Sequence, residues 1–211
     1  MFTSQWCFTP EILAYAGAIL IIISGFPYAI GVWRKEIIPN LTSWVLWSTI
    51  GFSVLLNYKS SGAEENVWVA VGAFLDPLFV TAVVVYKLRW KFEKPNLREQ
   101  ICIVVCVGSL LGWWFLRNNS QLIQASLYLG IIADMIASIP TVLSVWIRPN
   151  EDRPFAWILF SLGHLIGLFS VTNQTVANYS VPISGLTIGI MILCPIVTHR
   201  VRQRITLRQW F

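Results

Sequence analysis

Gly25-Phe-Pro-Tyr-Ala-Ile-Gly-Val-Trp-Arg-Lys35, continuing into Pro39-Asn-Leu-Thr-Ser-Trp-Val-Leu-Trp47, decides how this chain is read. It describes an apolar helix carrying a proline, a short basic loop, and a second helix that opens on tryptophans. The same device returns as Ile139-Pro-Thr-Val-Leu-Ser-Val-Trp-Ile-Arg148, followed by Pro154-Phe-Ala-Trp-Ile-Leu-Phe160. Pro27 and Pro140, Trp33 and Trp146, and Trp44 and Trp157 are each 113 residues apart. Tyr15/Tyr128, Gly17/Gly130, Ser48/Ser161 and Gly72/Gly185 keep that register without a gap, and 11 of the 44 positions from Tyr15 to Tyr58 are identical in the second copy. Self-similarity at one fixed offset marks an internal duplication, a device common in transporters.

Composition places the duplication in a membrane. The 211 residues are 56% hydrophobic and 12% charged, and the mean hydropathy is +0.66. That balance excludes an ordinary soluble domain. A helix needs about 20 apolar residues to cross a bilayer, and seven stretches qualify as candidate spans: Ile12–Val32, Leu41–Tyr58, Val67–Tyr86, Ile101–Leu116, Leu122–Trp146, Phe155–Val171 and Val181–Thr198. Residues 1–11 hold no Lys or Arg ahead of the first apolar run, so a cleaved signal peptide is not expected and the first span should persist.

Basic residues orient these spans. Arg34, Lys35, Lys87, Arg89, Lys91, Lys94, Arg98, Arg148, Arg153, Arg200, Arg202, Arg204 and Arg208 fall on one side, and only Lys59 and Arg117 on the other. The positive-inside rule then puts the amino terminus outside and the carboxyl terminus in the cytoplasm. The net charge of +5 is assigned to topology and to the anionic inner leaflet, with no nucleic-acid partner. Residues 200–211, basic with Leu207, Trp210 and Phe211, suit a helix lying on that leaflet.

Three spans per copy is an odd number, so two copies joined directly would be inverted relative to each other. The fourth candidate span has no counterpart in the duplication, so it supplies the extra crossing. The expected fold is an all-α integral membrane protein of seven transmembrane helices, two parallel three-helix repeats joined by a linker helix. Its parts are a first triple-helix bundle at 1–87, a basic cytoplasmic loop and linker helix at 88–120, a second bundle at 121–199, and a basic tail at 200–211.

The ionisable residues inside the spans are the site candidates. Asp76, Asp134 and His164 fall near mid-span on the third, fifth and sixth stretches. A carboxylate at that depth costs at least ~2.5–3.5 kcal/mol on insertion scales, so it should face a cavity or a partner. Together with a histidine the pair suits a solute pocket or a proton path; a structural polar network is the competing explanation. Their repeat counterparts Gly189, Ile21 and Gly51 are not ionisable, so the site should be asymmetric. Trp44 and Trp157 read as interfacial belt residues. The deeper Trp47 is expected to line a cavity and stack on a flat ring, and Asn57 to join it. Pro27 with Gly25, and Pro140, are candidate hinges, because proline removes a helix hydrogen bond and crowds the preceding turn.

Cys7, Cys102, Cys106 and Cys194 form no CxxC pair and have no histidine at ligand spacing, so they read as small apolar packing residues. Asn40, Asn173 and Asn178 head glycosylation sequons, of which the last two would face outward. No metal, cofactor or enzymatic nucleophile–base pair is expected.

The duplicated three-span unit, the Pro-x-x-x-x-Val-Trp-Arg run from Pro27 to Arg34 and the amino-out orientation resemble the SWEET and PQ-loop transporter superfamily across nearly the whole chain. The resemblance implies alternating access by two triple-helix bundles hinged at first-helix prolines, here Pro27 and Pro140, with sugars, cystine, basic amino acids or vitamin precursors as substrates. Tyr28 and Thr141 stand where the family has the glutamine after proline, and Asp76 is the nearest polar residue to its third-helix asparagine. A cationic or protonatable solute is therefore expected over a sugar. The alternative is a SWEET-fold receptor or membrane assembly protein without transport, working through Lys87–Arg98 and the tail. Homo-oligomerisation is left open.

Overall fold

The computed structural model describes residues 9–36, 41–63, 66–88, 94–119, 122–150, 152 and 154–205. Among them the chain forms α1 (Pro10–Trp33), α2 (Leu41–Ser60), α3 (Val67–Leu88), α4 (Leu97–Leu116), α5 (Leu122–Ile147), α6 (Pro154–Leu168) and α7 (Val176–Arg202), with no strand. Five of these, α1, α3, α4, α5 and α7, are long and apolar enough to cross a membrane. The protein is a multi-pass membrane protein on that basis. Helix α6 has only 15 residues, and α2 spends several of its positions on Ser, Thr and Asn. Cys7, the sequon at Asn40, the bases Arg89, Lys91 and Arg153, and the tail from 206 onward lie outside the described residues.

Local signals set the helix ends. Thr9 caps α1, its hydroxyl accepting the Ile12 amide at 3.3 Å, with Pro10 in the first turn. Asn96 and Glu99 form a reciprocal capping box on α4, at 3.0 and 2.8 Å, which starts that helix four residues before the expected Ile101. Thr175 caps α7 through the Asn178 amide at 3.2 Å, so α7 begins five residues before the expected Val181. Pro182, the seventh residue of α7, removes the hydrogen bond that the Asn178 carbonyl would otherwise accept, and that carbonyl takes the Tyr58 hydroxyl instead. The helices run on through Pro27, Pro77, Pro140 and Pro195 as well.

The packing repeats itself. Helices α1 and α2 both lie against α3, and their counterparts α5 and α6 both lie against α7. Helix α1 meets α6, and in the exchanged pairing α5 meets α2; α4 leans on α5 and α2. The α1–α6 crossing is backbone on backbone, since a Cβ on Gly17 would stand 2.7 Å from the Gly163 carbonyl oxygen. Small residues permit such approach between apolar helices.

A chain of small polar groups ties α2, α4 and α5. Ser53 Oγ donates to Ser109 Oγ at 2.9 Å, Ser109 Oγ donates to the Ser126 carbonyl at 2.8 Å, and Ser126 Oγ donates back to the Ser109 carbonyl at 2.6 Å. Asn57 belongs to this chain, donating to the Ser53 carbonyl at 2.8 Å and to Ser109 Oγ at 3.2 Å. Cys102 and Cys106 are buried in the same core, and the Cys102 thiol lies 3.7 Å from the Ala133 carbonyl, which fits the packing role.

At one end of the bundle α2 and α7 are joined directly. The Tyr58 hydroxyl donates to the Asn178 carbonyl, and the Asn66 amide donates to the Tyr58 hydroxyl. Asn178 is buried inside this cluster, so its sequon is not open to a glycan, whereas Asn173 is exposed. At the other end Trp33 stacks on Tyr86, centroids 5.8 Å apart, and Lys87 Nζ sits 3.7 Å over the Trp33 ring. Ser43 donates to Glu99 at 3.0 Å there, and Arg200 is buried with Nη2 3.2 Å from the Asp152 carbonyl. Arg200 therefore belongs to the folded end of α7 rather than to a free basic tail.

Candidate functional site

One cavity of about 110 Å³ lies between the two copies, with room for a few waters or a small organic solute. All three mid-span ionisable residues line it: Asp76 from α3, Asp134 from α5 and His164 from α6. Trp47 and Gly25 line it as well. Asn57 does not, because its amide is spent in the α2–α4–α5 polar chain. Pro27 is not on the cavity wall, and Pro140 borders a small separate recess beside Glu99 and Cys102.

The glycines of the repeat make the space for these side chains. Asp76 Oδ1 rests directly against the position a Gly25 Cβ would take, and the His164 ring occupies the place of a Gly185 Cβ. Neither side chain would fit over an alanine without moving.

Each ionisable group offers an unused atom. Asp76 is 9% exposed, and its Oδ1 has no hydrogen-bond partner. The nearby Ser24 hydroxyl spends its proton on the Ile21 carbonyl at 2.6 Å. Half-buried Asp134 makes no hydrogen bond or ion pair with the described residues. His164, 1% exposed, pairs its Nδ1 with the Phe160 carbonyl at 3.0 Å. The neutral ring with its proton on Nδ1 then presents an Nε2 lone pair beside Gly185. Buried polar atoms are ordinarily satisfied, and here the unpaired Asp76 Oδ1 lies on the same cavity as the Asp134 and His164 side chains. No three His, Cys, Asp or Glu among the described residues stand close enough to hold a metal ion.

Aromatic rings close the cavity. Trp44 and Trp47 meet edge to face with centroids 5.1 Å apart, and Trp157 and Phe160 do the same at 5.6 Å. Tyr28 leans on Trp44 at 4.7 Å, and Phe160 on His164 at 4.4 Å. Trp44 and Trp157 thus face inward, which corrects their reading as belt residues. The repeat register held the missing signal. Gly25/Ser138, Trp44/Trp157, Trp47/Phe160 and Gly51/His164 are all 113 apart, and both members of each pair line the cavity. Two corresponding corners of the duplicated unit face each other across it, and their divergence from glycine to serine or histidine gives the site its polarity. Compared with known proteins, the chain matches no family model, no curated protein and no solved structure.

Proposed function

We propose that this chain carries a small polar solute across a membrane by alternating access, and that the transport is proton-linked. All seven helices cross the bilayer in this reading, as two parallel triplets (α1–α3 and α5–α7) joined by α4, with the amino terminus outside and the carboxyl terminus cytoplasmic. The observation that carries it is one cavity between the two copies lined by Asp76, whose Oδ1 is unpaired, together with Asp134 and His164. Ionisable groups inside a membrane bundle are retained where a solute or a proton completes them. The two triplets supply the moving bodies, with Pro27 beside Gly25 and Pro140 as hinges. Trp47 and its neighbours form the wall that the solute slides past.

A thermal-stability screen tests the reading first, because a ligand that prefers the folded state raises the melting temperature by mass action. Sugars, amino acids, polyamines, nucleosides and vitamins are added to the purified protein in detergent, and each hit is followed as flux in proteoliposomes with and without a pH gradient. Asp134→Asn is expected to abolish flux while the protein still folds. Stabilisation without flux for every hit, or no hit at all, would defeat transport and leave a receptor or assembly protein.

A further inference from the structure

The solute class is written in what the cavity lacks. No Lys or Arg lines it among the described residues, so the carboxylate of an amino acid or the phosphate of a nucleotide would be buried there without a cationic partner. Its serines are occupied as well. Ser24, Ser138 and Ser184 donate to the carbonyls of Ile21, Met135 and Val181 on their own helices, at 2.6, 2.8 and 3.0 Å. A sugar, which needs a partner for each hydroxyl, would find few donors. A hard metal ion would find no ligand cluster among these residues.

What the cavity does offer is two carboxyl groups and aromatic rings. Asp76 and Asp134 face it from α3 and α5, and the buried Asp76 Oδ1 is unpaired. The Trp44–Trp47 and Trp157–Phe160 corners supply aromatic surface from both copies. Carboxylates together with aromatic faces hold cations of low charge density, which give up their water readily and are attracted to the ring quadrupole. We propose that the ligand of this cavity is a small quaternary ammonium cation that carries no carboxylate or phosphate of its own. The proposal names the solute of the transport reading above and rests on it for the movement, though not for the binding.

Purified protein in detergent is titrated with tetramethylammonium, choline and benzyltrimethylammonium, beside glucose, lysine and 3,3-dimethyl-1-butanol, the neutral isostere of choline. The expected result is choline binding at least ~10-fold tighter than its isostere, the advantage a desolvated cation–aromatic contact brings. Asp76→Asn is expected to erase that difference while the melting temperature holds. Trp47→Leu should weaken benzyltrimethylammonium more than tetramethylammonium. Equal binding of choline and its isostere, preference for glucose or lysine, or no binding of any of the three cations by protein that melts cooperatively would each overturn the proposal. Proteoliposomes separate it from the transport reading. Cation binding without flux defeats transport and leaves the ligand class standing; glucose flux without cation binding does the reverse.

Discussion

Asp76 is the side chain on which the proposed function is most directly tested. Its Oδ1 is pressed against Gly25 and has no donor, so neutralising it removes a liability and keeps the shape. Asp76→Asn is expected to leave the melting temperature unchanged or raise it while abolishing solute binding, the pattern of a residue kept for function. A thermal melt set beside a binding isotherm checks both halves; a marked fall in melting temperature would make Asp76 a structural residue instead. Gly185→Ala probes the facing wall. The new methyl would enter the space of the His164 ring, and overpacking of this kind costs about 1–3 kcal/mol. A lowered melting temperature is expected, recovered when His164→Ala is added, because the two changes share one space. Asp76, Asp134 and His164 were legible in the sequence, since charge inside an apolar run has few explanations. Asn57 was not correctly read, because its spacing looks the same whether the amide faces a solute or Ser109. The inward turn of Trp44 and Trp157 was likewise hidden, as a tryptophan near a span end suits the interface and a cavity mouth equally well.

Helices α2, α4 and α5 are held by hydroxyls rather than by large apolar contacts alone. Ser109 is the node, accepting from Ser53 and Asn57 and donating to Ser126. Ser109→Ala strands these donors, at a cost of about 0.6–2 kcal/mol for hydrogen bonds between membrane helices. Measured by denaturant unfolding in detergent, this loss should exceed that of Thr49→Ala, whose hydroxyl bonds only to the Val45 carbonyl on an exposed face. Helix existence is plain from hydropathy; the start of α4 is not, because the apolar run begins only at Ile101 while the Asn96–Glu99 capping box lies in the polar sequence before it. The start of α7 lies ahead of the expected Val181 because its cap, Thr175, precedes Asn178, Tyr179 and Ser180, a polar stretch that hydropathy does not mark as helix. The shortness of α6 follows from the Thr172–Thr175 break before the next cap.

At the scale of the molecule the two copies are fastened together at one end by Tyr58, Asn66 and Asn178. In the transport reading this end faces outside, and the cluster is the latch that must open for solute to enter from there. Tyr58→Phe keeps the ring and removes the hydroxyl. Spin labels on the exposed Lys59 and Asn173 are expected to move apart in a larger fraction of molecules, read as a broadened distance distribution; an unchanged distribution would make the cluster a passive contact. The duplication itself was the most readable feature of the sequence, because a constant offset of 113 survives wherever the packing demands it.

The two seams between the copies are related by the duplication, yet they have not stayed alike. On the α1 side Gly17 meets the Gly163 backbone with nothing between, at 2.7 Å from a Cβ to the carbonyl oxygen. On the α5 side the corresponding Gly130 faces Val54 and Ser109 side chains at 3.1 Å, a contact through side chains rather than backbone. In the transport reading the closely packed Gly17–Gly163 line is the post of a door, and the serine chain from Ser53 through Ser109 to Ser126 would have to part, or travel as one leaf with α2, α4 and α5, for the other side to swing.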